Sequence, residues 1–362
     1  MDFGLSEDQL LFKDSLRRFL EAESPTTRVR AIMEGSDGHD CALWRSLGEM
    51  GVTGLMIPPA HGGAGLELLD LALAAEELGR AAAPGPFLAV AMAAAALVES
   101  GNAEAQRRWL PGLATGECVL TFALGEGIGE WDAARLTTRA NGGKLSGEKP
   151  VVPYAGVADA LVVAAHDADG PGLFVVERGA PGLSISPLLG LDMTRRVDRV
   201  VFADTPAAKI ASGRAAIDRT RDVGLVLLAA DAYGGSRRCL DMTVQYALTR
   251  EQFGQPIGAF QGVKHQLADL ATDLEPALSL WWYAAHAYDH IQDRAERHAA
   301  LAKALLADLY DRAIRTAIEL HGGIGFTWEF DLHLWFRRAM FDRAYLGESR
   351  YHRARAAELA GW

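Results

Sequence analysis

The sequence predicts an α+β protein in three parts, with helices first, a β segment in the middle, and helices again to the end. Three observations predict it. Before residue 117 no alternation of apolar and polar residues of the β type occurs. From Cys118 to about Lys209 the chain turns into short β-rich runs separated by glycine turns. From about residue 212 onward, long stretches of helical periodicity return. The expected division is an N-terminal helical domain at 1–116, a central β domain at 117–210 and a C-terminal four-helix bundle at 211–362.

The opening segment carries helix start signals. Ser6 and Gln9 have capping-box spacing, Leu5 and Leu10 stand at the staple positions, and Leu10, Leu16, Phe19 and Leu20 supply an apolar stripe. Further helices are expected near 40–50, 67–82, 86–101 and 103–115, divided by the turns IPPAHGGAGL and APGPF. In the middle segment LTFAL, KLSGEKPVV, ALVVAA, GLFVVE, LSISPL and RVVFAD read as six or so strands of a small antiparallel barrel or sandwich. Helical stretches follow near 213–250, 258–292, 296–321 and 329–360, with Pro276 expected to kink one of them or mark a boundary.

Composition excludes several classes. The 362 residues are 49% hydrophobic and 23% charged, ordinary for a soluble globular chain, and the net charge of −11 argues against a sequence-independent grip on nucleic acid. Cys41, Cys118 and Cys239 are far apart and form no CxxC, which points to a reducing, cytoplasmic setting without disulfides or a thiolate metal site. The opening Met-Asp-Phe-Gly lacks the basic and apolar regions of a secretory leader, and no apolar stretch is long enough for a membrane span. His286, His290 and His298 recur at helical spacing without carboxylates, so they read as polar-face residues rather than metal ligands, and His61 reads as a loop residue. Trp281, Trp282, Trp328 and Trp335 read as core or subunit interface. Arg337, Arg338, Arg343, Arg350 and Arg353, balanced by Asp342, Glu348 and Glu358, read as a solvated or interface face.

Two glycine-bearing segments remain. In residues 249–271 Arg250 closes one helix, and Gly254 with Pro256 makes the turn to the next. The Arg fork suits phosphate, Phe253 offers a flat apolar surface, and Gln261 carries amide donors and acceptors. A plain helical hairpin, with Arg capping carbonyls and Phe in the core, explains the same pattern. In residues 319–330 Gly322 and Gly323 remove Cβ atoms where backbone N–H groups could approach a phosphate or ring. A helix C-cap accounts for a single glycine as well.

These segments, with LSEDQ, GLMIPPAHGGAGL (54–66), EELGR (76–80) and WLPGLATGE (109–117), give a chain that resembles the acyl-CoA dehydrogenase family over its whole length. The resemblance implies the helical–β–helical fold, FAD at a dimer interface, and dehydrogenation of an acyl-CoA by a carboxylate base with hydride transfer to the flavin. It further implies that Arg250, Phe253, Gln261, Gly322 and Gly323, with Glu319 in place of the usual glutamine, serve the adenosine–diphosphate end of a cofactor held mainly by the neighbouring protomer.

The flavin-ring end departs from the family pattern. TEPxAGSD is here GEGIGEWD (125–132), with Gly125 at the usual Thr, and the WIT or WIS strand is Val151-Val152-Pro153. The base of the YEGT-like motif is Leu346 in Tyr345-Leu346-Gly347-Glu348, and the alternative family position is Gly224, with Arg221 and Asp222 nearby but out of register. Glu348 is the weak candidate for a shifted base, with Arg350 as a possible counter-charge. Three readings follow: a subunit of a heterotetramer completing the FAD site of a catalytic partner, a self-sufficient homo-oligomer with a relocated base, or a flavin-free acyl-CoA-binding relative.

Overall fold

The computed structural model describes residues 4–35, 38–127, 129 and 131–362. The expectation about the leader rests partly on residues 1–3, and the 125–132 motif includes Ile128 and Glu130. Those five positions lie outside the described residues.

Six helices come first: α1 (Glu7–Glu23), α2 (Thr26–Glu34), α3 (Cys41–Glu49), α4 (Leu68–Arg80), α5 (Phe87–Ser100) and α6 (Ala103–Ala114). The capping box of α1 forms in both directions, Gln9 N–H to Ser6 Oγ at 3.2 Å and Ser6 N–H to Gln9 Oε1 at 3.0 Å. The staple does not form, because Leu10 turns outward while Leu16 and Leu20 are buried. Helix α2 is one that periodicity missed. It is nine residues long and follows α1 after a break at Ser24 and Pro25.

Eight strands form one sheet: β1 (Leu120–Ala123), β2 (Arg139–Asn141), β3 (Lys144–Pro153), β4 (Ala160–Asp167), β5 (Gly170–Glu177), β6 (Leu183–Pro187), β7 (Val197–Pro206) and β8 (Ala208–Ser212). The order is β6-β7-β3-β2-β4-β5-β8, with β1 also on β4. The expectation of a wholly antiparallel set needs correction, since β1 and β2 both run parallel to β4. Period-two alternation explains why the middle of the sheet is apolar on both sides. Leu161, Val163 and Ala165 of β4 join Phe174, Val176, Val200 and Phe202 in the sheet's own core, while Ala160, Val162 and Ala164 join the helical core.

The helical stretches return as α7 (Ala215–Thr249), α8 (Gln261–His290), α9 (Gln292–His321), α10 (Leu332–Ala344) and α11 (Ser349–Leu359). Two expectations change. Pro276 lies inside a continuous α8, on its exposed side, and the run expected over 329–360 is two helices broken at the 345–348 turn. No helix of the described residues is long and apolar enough to cross a membrane.

Helices α4 and α7 meet backbone to backbone. A Cβ on Gly234 would stand 1.9 Å from the Glu76 carbonyl oxygen, and one on Gly79 would stand 2.2 Å from that of Asp231. Both neighbours are backbone atoms that cannot swing aside, so the side-chain-free faces set the distance between the first and third parts. Gly234→Ala is therefore expected to destabilise the chain by about 1–3 kcal/mol through overpacking. Thermal unfolding of the variant checks this, and an unchanged midpoint would show that the helices part without cost.

Candidate functional site

The segments that drew attention in the sequence occupy two regions. The first is an exposed end of the helical part. Helix α7 ends at Thr249, and a two-stranded hairpin, Glu251–Gln252 against Gln255–Pro256, folds back so that Ile257 N–H bonds the Arg250 carbonyl at 2.8 Å. Phe253 (φ 53°) and Gly254 (φ 79°) form the two-residue loop, the left-handed pair that a tight hairpin demands. Phe253 is 94% exposed, so the hairpin-with-core-Phe reading fails. Its ring meets Phe260 edge to face at 6.1 Å. Arg250 and Gln261 are exposed too. Gln261 opens α8, whose first N–H groups have no side-chain cap and carry the positive end of a 30-residue helix dipole.

Gly322 and Gly323 reach the same end through Tyr246. One turn before Arg250, its ring stacks on His321 at 4.2 Å and its hydroxyl donates to the His321 carbonyl at 3.4 Å. Burial lowers the His321 pKa, keeping the imidazole neutral in this stack. Gly322 and Gly323 are exposed, and a Cβ on either would meet nothing within 4 Å. Glu319 lies exposed in the last turn of α9. Leu248, Ile324 and Phe326 add exposed apolar surface around these segments.

The second region is the opposite in character. Gly224 of α7 and Leu346 of the 345–348 turn, far apart in sequence, are in contact. A Cβ on Gly224 would lie 2.6 Å from Leu346 Cδ1 and 2.8 Å from both Cε and Sδ of Met92. Leu346 is fully buried in a left-handed conformation (φ 59°). Two groups pin that turn. Lys303 donates to the carbonyls of Arg343 (3.2 Å) and Gly347 (3.0 Å), and His352 Nε2 donates to that of Leu346 at 2.8 Å. Burial lowers Lys303 to about 8, and burial with the Lys303 charge lowers His352 to about 3, so the imidazole is neutral at physiological pH.

An aromatic column closes the region. Trp131 meets Tyr345 edge to face at 5.3 Å, Tyr345 stacks on Phe341 at 5.1 Å, and the Arg195 guanidinium lies 5.0 Å from the Phe341 ring centre. A Cβ on Gly125 would fall 2.4 Å from the Trp131 ring, so the indole takes the space that a threonine there would need. Its N–H is buried without a partner among the described residues. Val152 is buried, and the Pro153 carbonyl accepts from Thr121 Oγ1 at 2.6 Å.

Among the described residues, the three atoms nearest a Cβ at 224 belong to Leu346 and Met92 and none to a carboxylate. Glu348 is exposed at the N-cap position of α11 without a capping bond. Its neighbour Arg350 is also exposed, and the basic residue held nearby is Arg353, paired with Asp308 at 2.6 Å. Asp222 is buried and pushed up to about 7 by that burial, against the pull of Arg221, but it belongs to a cluster with Arg221, Glu296 and Arg355. Among the described residues no group of three or more His, Cys, Asp or Glu side chains is placed to hold a metal ion. His290 instead bonds Glu67 at 2.9 Å, and His298 packs on Tyr283.

Sequence reading missed Glu126. Its carboxylate accepts from Thr137 Oγ1 (2.6 Å), Thr138 N–H (3.0 Å) and Lys149 Nζ (2.7 Å), and from the Thr137 N–H. Lys149 also donates to the Leu124 carbonyl at 2.8 Å. Burial alone would raise Glu126, but Lys149 and the threonines outweigh it and hold the carboxyl at about 2. One signal was available, an acidic residue inside a glycine-rich stretch that needs a partner when buried. The face expected to be solvated also needs correction. Arg338 and Asp342 are buried in an ion network, because two further charged residues, Arg195 and Asp231, arrive from distant segments to meet them.

Sequence profiles of the acyl-CoA dehydrogenase N-terminal and C-terminal domains match residues 6–117 and 208–360. The chain is 32% identical over 347 residues to the acyl-CoA dehydrogenase IpdE2 of Mycolicibacterium smegmatis, covering 96% of each. Among solved structures it is similar to a variant of the Tcur3481-Tcur3483 steroid ACAD, with a TM-score of 0.92 and 34% identity over 98% of each chain. It is also similar to a chain of the ChsE4-ChsE5 complex from Mycobacterium tuberculosis, with a TM-score of 0.89 and 26% identity over 100% of this chain and 99% of that one. The chain belongs to the acyl-CoA dehydrogenase family.

The Glu126–Lys149 pair makes the stability of this stretch depend on pH. Glu126→Gln is expected to cost about 3–5 kcal/mol near neutral pH, since it strands a buried ammonium. The folded carboxyl titrates at about 2 against an ordinary 4.5, so its contribution is complete above pH 4.5 and disappears as pH falls through about 2. Denaturant unfolding of both proteins at pH 7 and near pH 2.5 should show the gap narrowing.

Proposed function

We propose that this chain is the subunit of a two-chain acyl-CoA dehydrogenase that completes the FAD site of a catalytic partner, with the acyl-CoA base and the flavin-ring seat on that partner. FAD, the family's cofactor, would supply the hydride acceptor. On this reading Arg250 takes the diphosphate, and Phe253, Gln261, Glu319, Gly322 and Gly323 border its adenosine end. The chain itself divides into domains at 1–116, 117–210 and 211–362.

The observation that carries the reading is the Gly224–Leu346 contact. Both family positions for the base meet there, neither has a carboxylate, and Met92 leaves no room for a methyl group at 224. With Trp131 against Gly125, the ring end does not fit a flavin, whereas the residues of the adenosine–diphosphate end stand open and exposed. Likeness to chains of the Tcur3481-Tcur3483 and ChsE4-ChsE5 assemblies adds support. The self-sufficient alternative needs Glu348 as base, and its exposed place at the start of α11 argues against that.

The purified chain alone is expected to carry almost no flavin by absorbance and to leave an artificial electron acceptor unreduced with acyl-CoA, since loss of a general base costs on the order of 10²–10⁴ in rate. Co-expression with an acyl-CoA dehydrogenase chain that bears the glutamate should restore both, and the activity should survive Glu348→Gln. Ordinary activity of the lone chain, abolished by Glu348→Gln, would establish the alternative instead. Failure to recover flavin with any such partner would favour a flavin-free relative.

Arg250→Ala in the assembled complex is expected to weaken FAD retention about ten- to hundredfold, the worth of one charge-assisted hydrogen bond of about 1.5–3 kcal/mol. Unchanged occupancy in a folded complex would remove Arg250 from the phosphate.

A further inference from the structure

The loop between β6 and β7, residues 188–196, holds two leucines out in water. Leu189 is fully exposed and Leu191 half-exposed, although the loop around them is fixed. Leu188 N–H bonds the Val197 carbonyl at 3.0 Å, and Asp192 accepts from Thr194 N–H at 2.9 Å and from its Oγ1 at 2.6 Å. The Thr194 carbonyl accepts from the Tyr154 hydroxyl at 2.7 Å, and Arg195 enters a buried ion network through Asp231 and Asp342. The exposed leucines therefore belong to a pinned loop.

Arg337 of α10 joins this loop to a second exposed apolar group. Its guanidinium donates to the Leu191 carbonyl at 3.0 Å and lies 5.4 Å from the centre of the Trp328 ring. Trp328 is exposed, stacks on His333 at 4.4 Å, and follows two residues after Phe326, which is exposed at the end of the Gly322–Phe326 turn. Single exposed leucines are ordinary, but two on a pinned loop beside an exposed indole make an apolar patch of the kind that meets another protein. The patch has a cation between its two parts. Arg30, also near the Trp328 ring, is paired with Asp331 at 2.7 Å. Arg337 forms no ion pair among the described residues, neither with Asp331 nor with the exposed Glu329, and its Nε is buried there without a partner.

We propose that this patch seats the catalytic partner subunit, with an apolar pocket of the partner taking Leu189 and Leu191 and a carboxylate at the rim of that pocket meeting Arg337. Two observations choose this occupant. The Gly322–Phe326 turn runs from the glycine doublet into the patch, so a chain that shares a cofactor at the doublet stands against the patch as well. A second copy of this chain, meeting it patch to patch, would instead bring two Arg337 side chains together, and like charges across an interface cost free energy. Leucines on a loop that is already fixed lose little freedom on docking, which favours them as anchors. This assignment of the occupant rests on the two-chain reading above.

The test compares the full chain with a variant carrying both Leu189→Ser and Leu191→Ser, each co-expressed with a glutamate-bearing acyl-CoA dehydrogenase chain that restores flavin. Both side chains are exposed, so the lone variant should unfold at the midpoint of the lone wild-type chain. Assembly, followed by light scattering on dilution, should weaken about tenfold for each leucine lost from the contact. Leu189→Ser alone, at the fully exposed position, gives the same reading if the double variant proves less stable. Arg337→Gln should weaken assembly less and reduce its dependence on salt. Assembly of the serine variants at wild-type strength, with flavin recovered, overturns the docking patch and leaves the two-chain reading standing. A wild-type chain that assembles with no such partner overturns both. Self-association of the lone chain that the serine variants abolish gives the patch to a second copy and overturns the partner.

Discussion

Four buried ionisable side chains hold the three parts of the chain in one arrangement. Arg195, from the loop between β6 and β7, reaches Asp231 of α7 at 2.6 Å and also Asp342 of α10. Arg338, also of α10, forks onto Asp231 at 2.9 and 2.6 Å and donates to the Ala83 carbonyl at 2.9 Å. Burial makes each of these charges costly alone. It pushes Asp342 well above the usual carboxylate range, with Asp231 adding to the effect, while the two guanidiniums overcome the burial of Asp231 and hold it at about 2. None of the four can leave without stranding another, so sheet, long helix and C-terminal helices are tied at one point.

The candidate site inherits its geometry from that point. Arg195 lies over Phe341, Phe341 stacks on Tyr345, and Tyr345 supports Trp131, so the ionic network and the aromatic column form one continuous scaffold. At its end the 345–348 turn is set by Lys303 and His352, which fix backbone carbonyls rather than any side chain. A turn held by its backbone keeps its shape whatever side chain it carries. On the proposed reading a leucine can therefore occupy the place of a carboxylate without disturbing the fold, and packing alone fills the space around it.

Much of this was legible from residue spacing, and the rest was hidden for physical reasons. The order of helices and strands, the α1 capping box, the turn at 254 and the absence of a carboxylate at 224 and 346 follow from local pattern. The charge network did not, because Arg338 and Asp342 look like any exposed helical pair until Arg195 and Asp231 arrive from elsewhere. Contact between Gly224 and Leu346 is likewise a tertiary fact, more than a hundred residues apart in the chain. Phe253 misled in the other direction. Hydrophobicity argued for the core, but the hairpin places it at the tip.

Phe253 also shows what kind of surface this is. A left-handed conformation costs a residue with a side chain roughly 1–2 kcal/mol, and an exposed phenyl ring recovers nothing from water. A lone folded chain gains from neither, yet both occur together, beside exposed Arg250 and near the glycine doublet that presents bare backbone. Local strain of this sort persists where surrounding structure imposes it, and it concentrates where a ligand or partner is met. The sealed region has the reverse economy, since its apolar groups are satisfied within the chain. One end of the molecule is packed within the chain and the other presents exposed apolar and bare backbone groups, an asymmetry that supports the proposed subunit contributing half of a shared cofactor site.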